Sequence, residues 1–205
     1  MNVQPAPFPA LGFDTTTVMD ASRVQGLKAA GMVFAIRYLG SLTSNEVAVI
    51  LGGGLGLMPV TYSRMPGWSP TAEMGTEDGN LDVQHLTAAG LPKGCTVWID
   101  LEGVSPTATA ADTAAWVNAR ATVIRQAGYD VGLYVGSADL LSAQQLYALA
   151  QIDRYWHSLS DVPTPSCGFA LIQLYKTITL AGTEVDIDTV QYDYKDRLPL
   201  MVFAD

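Results

Sequence analysis

From residue 11 onward, short runs of β-branched and aromatic residues alternate with longer stretches of helical character. This alternation is typical of βα units arranged around a parallel sheet. Eight such runs predict a closed barrel, so we expect fold class α/β, a single (β/α) TIM-like barrel over residues 11–205 with residues 1–10 as an extended lead-in. The runs are LGFD (11–14), MVFAIRYL (32–39), LMPVTYS (57–63), CTVWIDLE (95–102), VGLYVG (131–136), DRYWHS (153–158), FALIQLY (169–175) and TEVDID (183–188).

The segments between the runs predict five helices, several of them with a capping residue in front and glycine behind. Gly31, Gly90 and Gly128 fit the position just past a helix end, where a left-handed residue turns the chain. No helix fits between residues 175 and 183, so we expect the barrel to be irregular in its last units. Residues 65–79 are expected to form a long loop that could wall a groove. The predicted helices are residues 20–30, 44–51, 81–89, 109–127 and 142–150.

Composition narrows the class of function. With 205 residues and 49% hydrophobic side chains, the chain can bury the core of one domain. A net charge of −9 disfavours nucleic acid as a partner. The apolar runs are too short to cross a bilayer, so membrane insertion is not expected. The first ten residues show no secretory signal peptide.

Two cysteines, Cys95 and Cys167, lack the spacing and neighbouring histidines of a metal site. We therefore expect two buried thiols, with a disulfide between them as the remaining alternative, and no metal or other cofactor.

Carboxylates are concentrated where the predicted strands end. Side chains alternate along a strand, so Asp100 and Glu102 of WIDLEG must point to the same side. Asp14 closes the first run, and Asp186 belongs to the last. Since the carboxyl ends of barrel strands form the catalytic face, all four acids are expected at one mouth.

Grouped carboxylates suit the cleavage of glycosidic bonds. Like charges in proximity raise the pKa of at least one acid, which can then donate a proton while its neighbour stays ionised. Glu102 is our candidate acid because it lies nearest the following loop. A second carboxylate could attack the anomeric carbon, activate water or assist a neighbouring group of the substrate that attacks instead. The residues alone do not decide between retention and inversion of configuration at the anomeric carbon.

Aromatic and cationic residues complete the candidate site. The aromatic residues near strand ends or in the following loops are Tyr38, Tyr62, Trp68, Tyr134, Trp156 and Tyr175. Each ring could stack against a sugar, although core packing is an equal alternative for each. Arg37, on the second run, is the expected cation among the acids, where it would hold one of them ionised or simply satisfy it.

Seven short motifs are spread along the chain. They are GFD (12–14), FAIRYLG (34–40), PVTYS (59–63), VWIDLEG (97–103), GLYVG (132–136), IQLY (172–175) and VDIDTV (185–190). These motifs resemble the bacterial glycoside-hydrolase-like domain formerly called domain of unknown function 1906, and the resemblance covers residues 11 to about 195. That domain is similar in turn to the family 25 glycoside hydrolases, lysozymes that cut peptidoglycan.

This resemblance implies roles for the matching residues. Asp14 would be the first-strand carboxylate, Asp100 the one that assists the substrate or holds the charge of the site, and Glu102 the general acid. Asp186 stands where the lysozymes have the aspartate of their last strand. Asp188 stands where they usually have asparagine, and we expect it to contact substrate.

The sequence also departs from the lysozymes. Ile172 stands where the lysozymes have a tryptophan, just ahead of Gln173, and Gln173 is a further candidate for substrate contact. At the end of the third run and just after it, Tyr62, Ser63 and Arg64 stand where the lysozymes commonly have Tyr-His-Phe. The first hypothesis is therefore a muramidase-type hydrolase or endolysin that acts on peptidoglycan, in the bacterial cell wall or outside the cell. The second is a weak or inactive glycan-binding module of the same fold, and the third is a structural protein of a particle.

Overall fold

The computed structural model describes residues 1–62 and 64–205; Ser63, the last residue of the third predicted run, lies outside the described residues. Eight strands close into a barrel, and two further strands lie beside it, which confirms the predicted fold class. The strands are β1 (Asn2–Pro5), β2 (Leu11–Thr15), β3 (Phe34–Tyr38), β4 (Gly56–Val60), β5 (Thr96–Leu101), β6 (Asp130–Val135), β7 (Arg154–His157), β8 (Leu171–Leu180), β9 (Thr183–Val190) and β10 (Leu200–Phe203).

Strands β2 to β8 run parallel to their neighbours in chain order, and a pairing of β4 with β5 belongs to this closed ring. Strand β9 closes the ring between β8 and β2 and is antiparallel to both. The expectation that Asp186 lies at the end of a parallel strand is therefore wrong. It reaches the mouth from within β9, where it pairs with Asp14 of β2. The direct β8–β9 hairpin explains why residues 175–183 have no helix.

Strand β1 lies within the predicted lead-in and pairs antiparallel with β10. β10 in turn pairs with β4 through Val202 and Leu57. Neither strand was among the eight predicted runs. Together they form a ribbon outside the barrel ring.

Within the described residues, five helices connect the strands, and each begins after a side chain that accepts a backbone N–H, as expected for N-caps. The three glycines predicted to follow helices all have positive φ, between 71° and 96°. The helices are α1 (Ala21–Ala29), α2 (Ser44–Gly52), α3 (Ala72–Ala88), α4 (Ala110–Gln126) and α5 (Ala143–Tyr147).

Helix α3 corrects the prediction of a loop over residues 65–79, because it begins at Ala72. Its two glycines, Gly75 and Gly79, are typical of a loop and favoured that prediction. A Cβ at Gly75 would lie 2.3 Å from the backbone oxygen of Trp116, and one at Gly79 would lie 2.9 Å from that of Arg120. Glycine therefore allows α3 to pack directly against α4.

Apolar side chains fill both sides of the sheet. The barrel interior contains a cluster that includes Phe34, Ile36, Trp98 and Trp156, while a larger cluster lies between the sheet and the helices. Gly132 leaves room for the ring of Trp98, since a Cβ there would lie 2.3 Å from it. This packed interior supports the floor of the polar mouth.

Cys95 and Cys167 are buried free thiols, as expected, and do not form the alternative disulfide. Among the helices of residues 1–62 and 64–205, none combines the length and hydropathy needed to cross a bilayer.

Candidate active site

A small cavity at the carboxyl end of the parallel strands brings most of the predicted residues together. Its volume is about 90 Å³. A second cavity of about 190 Å³ adjoins it, because Asp14, Tyr38 and Asp186 line both. The smaller cavity is lined by Asp14, Tyr38, Val60, Asp100, Glu102, Tyr134, Trp156, Gln173, Lys176 and Asp186. We call this cavity the acid cleft.

The DxE pair enters the acid cleft from β5 and the residue after it. Asp100 is buried, whereas Glu102 is half-buried, and both point into the acid cleft as the two-residue period predicts. Gly136 gives Glu102 its space, since a Cβ at residue 136 would lie 2.5 Å from the Cβ of Glu102.

Backbone bonds hold the segment after the DxE pair from two directions. Gly103 donates to the carbonyl of Ser137 at 2.8 Å, and Gly67 donates to the carbonyl of Gly103 at 2.8 Å. The indole Nε1 of Trp68 donates to the backbone oxygen of Glu102 at 2.9 Å. The ring of Trp68 packs edge-on against Trp116, with centroids 4.8 Å apart. Trp68 therefore holds the backbone of Glu102 in place, and its side chain does not line the acid cleft.

Gln173 connects the two carboxylates on the opposite wall. Its Nε2 donates to Asp186 Oδ2 at 2.9 Å and to Asp14 Oδ2 at 3.2 Å. Its Oε1 accepts from the backbone N–H of Leu159 at 3.3 Å, which fixes the orientation of the amide. The amide thus places one donor between two acids that would otherwise repel each other.

Asp14 lies in a strongly perturbed environment at the wall of the acid cleft. Burial, together with the charge of Asp186, raises the pKa of Asp14 to about 7, although the hydrogen bond from Gln173 and the charge of Lys176 oppose this increase. Asp14 can therefore exchange a proton near neutral pH.

Two tyrosines face the acids with their hydroxyl groups. Burial and then the nearby carboxylates raise the pKa of both Tyr38 and Tyr134 above the ordinary value, so both remain protonated donors. Tyr134 packs edge-on against Trp156 with centroids 4.6 Å apart. These side chains offer the acid cleft hydroxyl donors on rigid rings.

Asp188 lies below the acid cleft and is fully buried, so the expectation that it contacts substrate is wrong. Its Oδ1 accepts from Trp156 Nε1 at 3.0 Å. Burial and the neighbouring Asp14 raise the pKa of Asp188 well above its ordinary value.

Arg37 also lies away from the acid cleft, and the expectation of a cation among the acids at this position is wrong. Ile36 points into the barrel, so Arg37 points toward the helices, where it is fully buried. Its Nε donates to Glu46 Oε1 at 2.7 Å, and its Nη1 donates to the backbone oxygen of Thr15. Lys176 supplies a positive charge beside Asp14 instead.

The remaining aromatic candidates lie outside the acid cleft. Tyr62 packs against Tyr38 with centroids 5.0 Å apart and lines a neighbouring cavity of about 280 Å³. Tyr175 is 63% exposed on β8. Both rings lie at the surface beside the mouth, where they could meet only the outer parts of a ligand.

Sequence reasoning missed two lining residues, Val60 and Lys176, as members of the site. Lys176 lies one residue past the predicted end of the seventh run, whereas β8 continues to Leu180. Tyr38 and Trp156, two of the candidate rings, line the acid cleft as inward-facing residues of β3 and β7. As for metals, the described residues contain no group of three or more histidine, cysteine, aspartate or glutamate side chains placed to hold an ion.

The chain thus combines an eight-stranded barrel with a mouth lined by carboxylates. The model of the Rv2525c-like, glycoside hydrolase-like domain matches residues 25–193, and the chain belongs to this family. No curated protein sequence matches the chain.

Solved structures share this fold. An uncharacterized protein of B. stearothermophilus is 19% identical, with a TM-score of 0.71 over 92% of this chain and 99% of that chain. The Tat-secreted protein Rv2525c of Mycobacterium tuberculosis, in complex with L-tartrate, is 17% identical, with a TM-score of 0.68 over 89% and 95%. A bacterial lysozyme of Streptomyces coelicolor is 16% identical, with a TM-score of 0.60 over 89% and 92%.

Proposed function

We propose that this protein is a glycoside hydrolase of the muramidase type that cleaves the glycan strands of bacterial peptidoglycan. The observation that carries the proposal is the convergence of Asp14, Asp100, Glu102 and Asp186 on one cavity. The family and the fold shared with a lysozyme support the class of reaction. The Tat-secreted relative supports action in the cell wall or outside the cell.

In this proposal Glu102 is the general acid that protonates the departing sugar oxygen. It is half-buried at the mouth, and its backbone is held by Trp68 from one side. Asp100, two residues earlier and buried deeper, would stabilise the positive charge that develops at the anomeric carbon or orient the group that attacks it. The chemistry uses carboxylates alone and requires no cofactor.

Asp14 and Asp186 form the opposite wall and would bind the substrate through its polar groups. Gln173 fixes both carboxylates, and Asp186 Oδ1 also accepts from the backbone N–H of Thr177 at 2.6 Å. Tyr38 and Tyr134 add hydroxyl donors. A rigid arrangement of this kind lowers the reorganisation needed in the transition state.

A glycan-binding module is the second candidate, and the size of the acid cleft favours it. Pockets for small ligands commonly measure about 300–1,000 Å³, whereas the acid cleft measures about 90 Å³. A module that holds only one substituent of a sugar would fit this volume without catalysis. The adjoining 190 Å³ cavity offers additional room to an extended glycan.

The two candidates differ in their dependence on Glu102. We would incubate the wild-type protein and Glu102→Gln with peptidoglycan sacculi and measure new reducing ends, soluble muropeptides and bound protein. Glu77→Gln is the matched control, because Glu77 is an exposed residue of α3. A hydrolase predicts release by the wild type and the control, with retention of binding but loss of release in Glu102→Gln. Binding without release by the wild type would support the module.

A further inference from the structure

Two carboxyl groups meet at the floor of the acid cleft. Asp14 on β2 and Asp188 on β9 lie on adjacent antiparallel strands, in which Asp14 pairs with Asp186 and Gly12 pairs with Asp188. Residues two apart share one face of a strand, so Asp186 and Asp188 both point inward beside Asp14. Asp188 is the deeper of the two acids and has no exposed surface.

Only one of the two carboxyl oxygens of Asp188 accepts a hydrogen bond from an N–H donor among the described residues. Trp156 Nε1 donates to Oδ1 at 3.0 Å. Oδ2 is buried and receives no N–H or O–H from any described residue. Asp14 is the diagonal neighbour of Asp188 on the adjacent strand, with its side chain on the same face of the sheet. Two ionised carboxylates contain no hydrogen with which to bond each other. A hydrogen bond between these neighbouring groups therefore requires that one of them be protonated.

We propose that Asp188 is a protonated positioning residue that donates a hydrogen bond to the carboxyl group of Asp14 and thereby sets its ionisation. Burial favours Asp188 as the proton carrier, because an unpaired charge is most costly at the most buried position. Asp14, which lines the acid cleft, is then the member of the pair that ionises. The role in hydrolysis depends on the proposed function, but the protonation state does not.

Other charged and titratable groups surround the pair. The carboxylates among them disfavour a negative charge at Asp188, while the positive charge of Lys176 partly offsets the negative charge at Asp14. The groups are Asp186 and Lys176 from the β8–β9 hairpin, Asp100 and Glu102 from β5 and the residue after it, Tyr38 from β3 and Tyr134 from β6.

A protonated Asp188 makes a prediction that a charged Asp188 does not. Asparagine has nearly the same shape, can accept from Trp156 through its oxygen, and can donate to Asp14 through its amide. Asp188→Asn should therefore preserve the ionisation of Asp14. If Asp188 were ionised, the same change would remove a negative charge beside Asp14 and lower its pKa.

The test is a pH titration of the substrate-free protein by NMR with ¹³C-labelled aspartate carboxyl groups. In the wild type we expect the carboxyl signal of one aspartate to stay at its protonated position above pH 7. This signal should be absent from Asp188→Asn. Asp14, assigned by Asp14→Asn, should titrate near neutral pH in both proteins. Asp188→Leu, which cannot donate, should shift the Asp14 midpoint upward, and the exposed Asp161→Asn is the matched control.

Two results would overturn the proposal. One is a wild-type titration in which every buried aspartate is ionised above pH 7, a result that needs no variant to fold. The other is a fall in the Asp14 midpoint by about one pH unit or more in Asp188→Asn. Failure of the wild type to release muropeptides would instead contradict only the proposed hydrolase.

Discussion

The indole nitrogen of Trp68 lies 2.9 Å from the backbone oxygen of Glu102, on the residue proposed to donate the catalytic proton. The same short segment also pairs with the chain after Glu102, since Ser105 donates to the carbonyl of Trp68 at 2.7 Å. This relationship changes the expected role of the ring from stacking on sugar to positioning of the acid.

Trp68→Phe should therefore lower kcat for peptidoglycan hydrolysis by roughly 10-fold, because small displacements of a catalytic group are costly. KM should change little, since the ring does not line the acid cleft. Steady-state kinetics on soluble glycan fragments measure both constants. A rise in KM with unchanged kcat would indicate instead that Trp68 stacks on the sugar.

The ion pair of Arg37 and Glu46 gives a second prediction. Both side chains are buried, and their closest atoms are 2.7 Å apart. Arg37→Met would leave the carboxylate of Glu46 buried without its cation, so we expect a loss of about 3–5 kcal/mol in the free energy of unfolding. Urea denaturation of the variant and of the double variant with Glu46→Gln measures it. The double variant should recover part of the loss.

A purely functional Arg37 would behave differently. It would leave the midpoint of urea unfolding unchanged while weakening the binding of sacculi. That outcome would contradict the placement of Arg37 on the helix side of β3.

Periodicity in the sequence was enough to predict the barrel and the DxE pair, because Asp100 and Glu102 must share a face of β5 whatever surrounds them. The same rule, applied to FAIRYL, would have placed Arg37 opposite Ile36 and Tyr38. The direction of β9 could not be read in this way, since a strand has the same alternation whichever way it runs. The depth of Asp188 and the contact of Trp68 with Glu102 depend on distant segments, which no local pattern encodes.

Helix α3 shows a further limit of local reasoning. Gly75 and Gly79 lower intrinsic helix propensity and favoured a loop, but in the fold they allow α3 and α4 to approach closely. Gly75→Ala improves the propensity and nevertheless should destabilise the protein by about 1–3 kcal/mol, because its Cβ meets the backbone of Trp116.

Gly52→Ala is the matched control for this change. Gly52 lies at the end of α2, and a Cβ there meets no atom within 4 Å. We expect it to be neutral or to stabilise by up to about 1 kcal/mol. Thermal unfolding of both variants compares them directly. Equal behaviour would contradict the close packing of α3 on α4.

The pKa of Asp14 links the site to stability. Burial raises this pKa from 3.8 to about 7, so between these values the folded protein binds more protons than the unfolded chain. Stability from this group is therefore fully present below pH 3.8 and is lost as pH rises through about 7. The expected loss is on the order of 4 kcal/mol for Asp14 alone.

Asp14→Asn isolates this contribution, because an amide cannot ionise and all other groups remain. The free energy of unfolding of the wild type should fall steadily relative to that of Asp14→Asn between pH 4 and about 7, and the difference should level off above about pH 7. Urea denaturation across this range measures the difference between the two proteins, in which the effects of surface carboxylates cancel. A difference that stays constant with pH would show that Asp14 is already ionised at pH 4, which contradicts its burial beside Asp186.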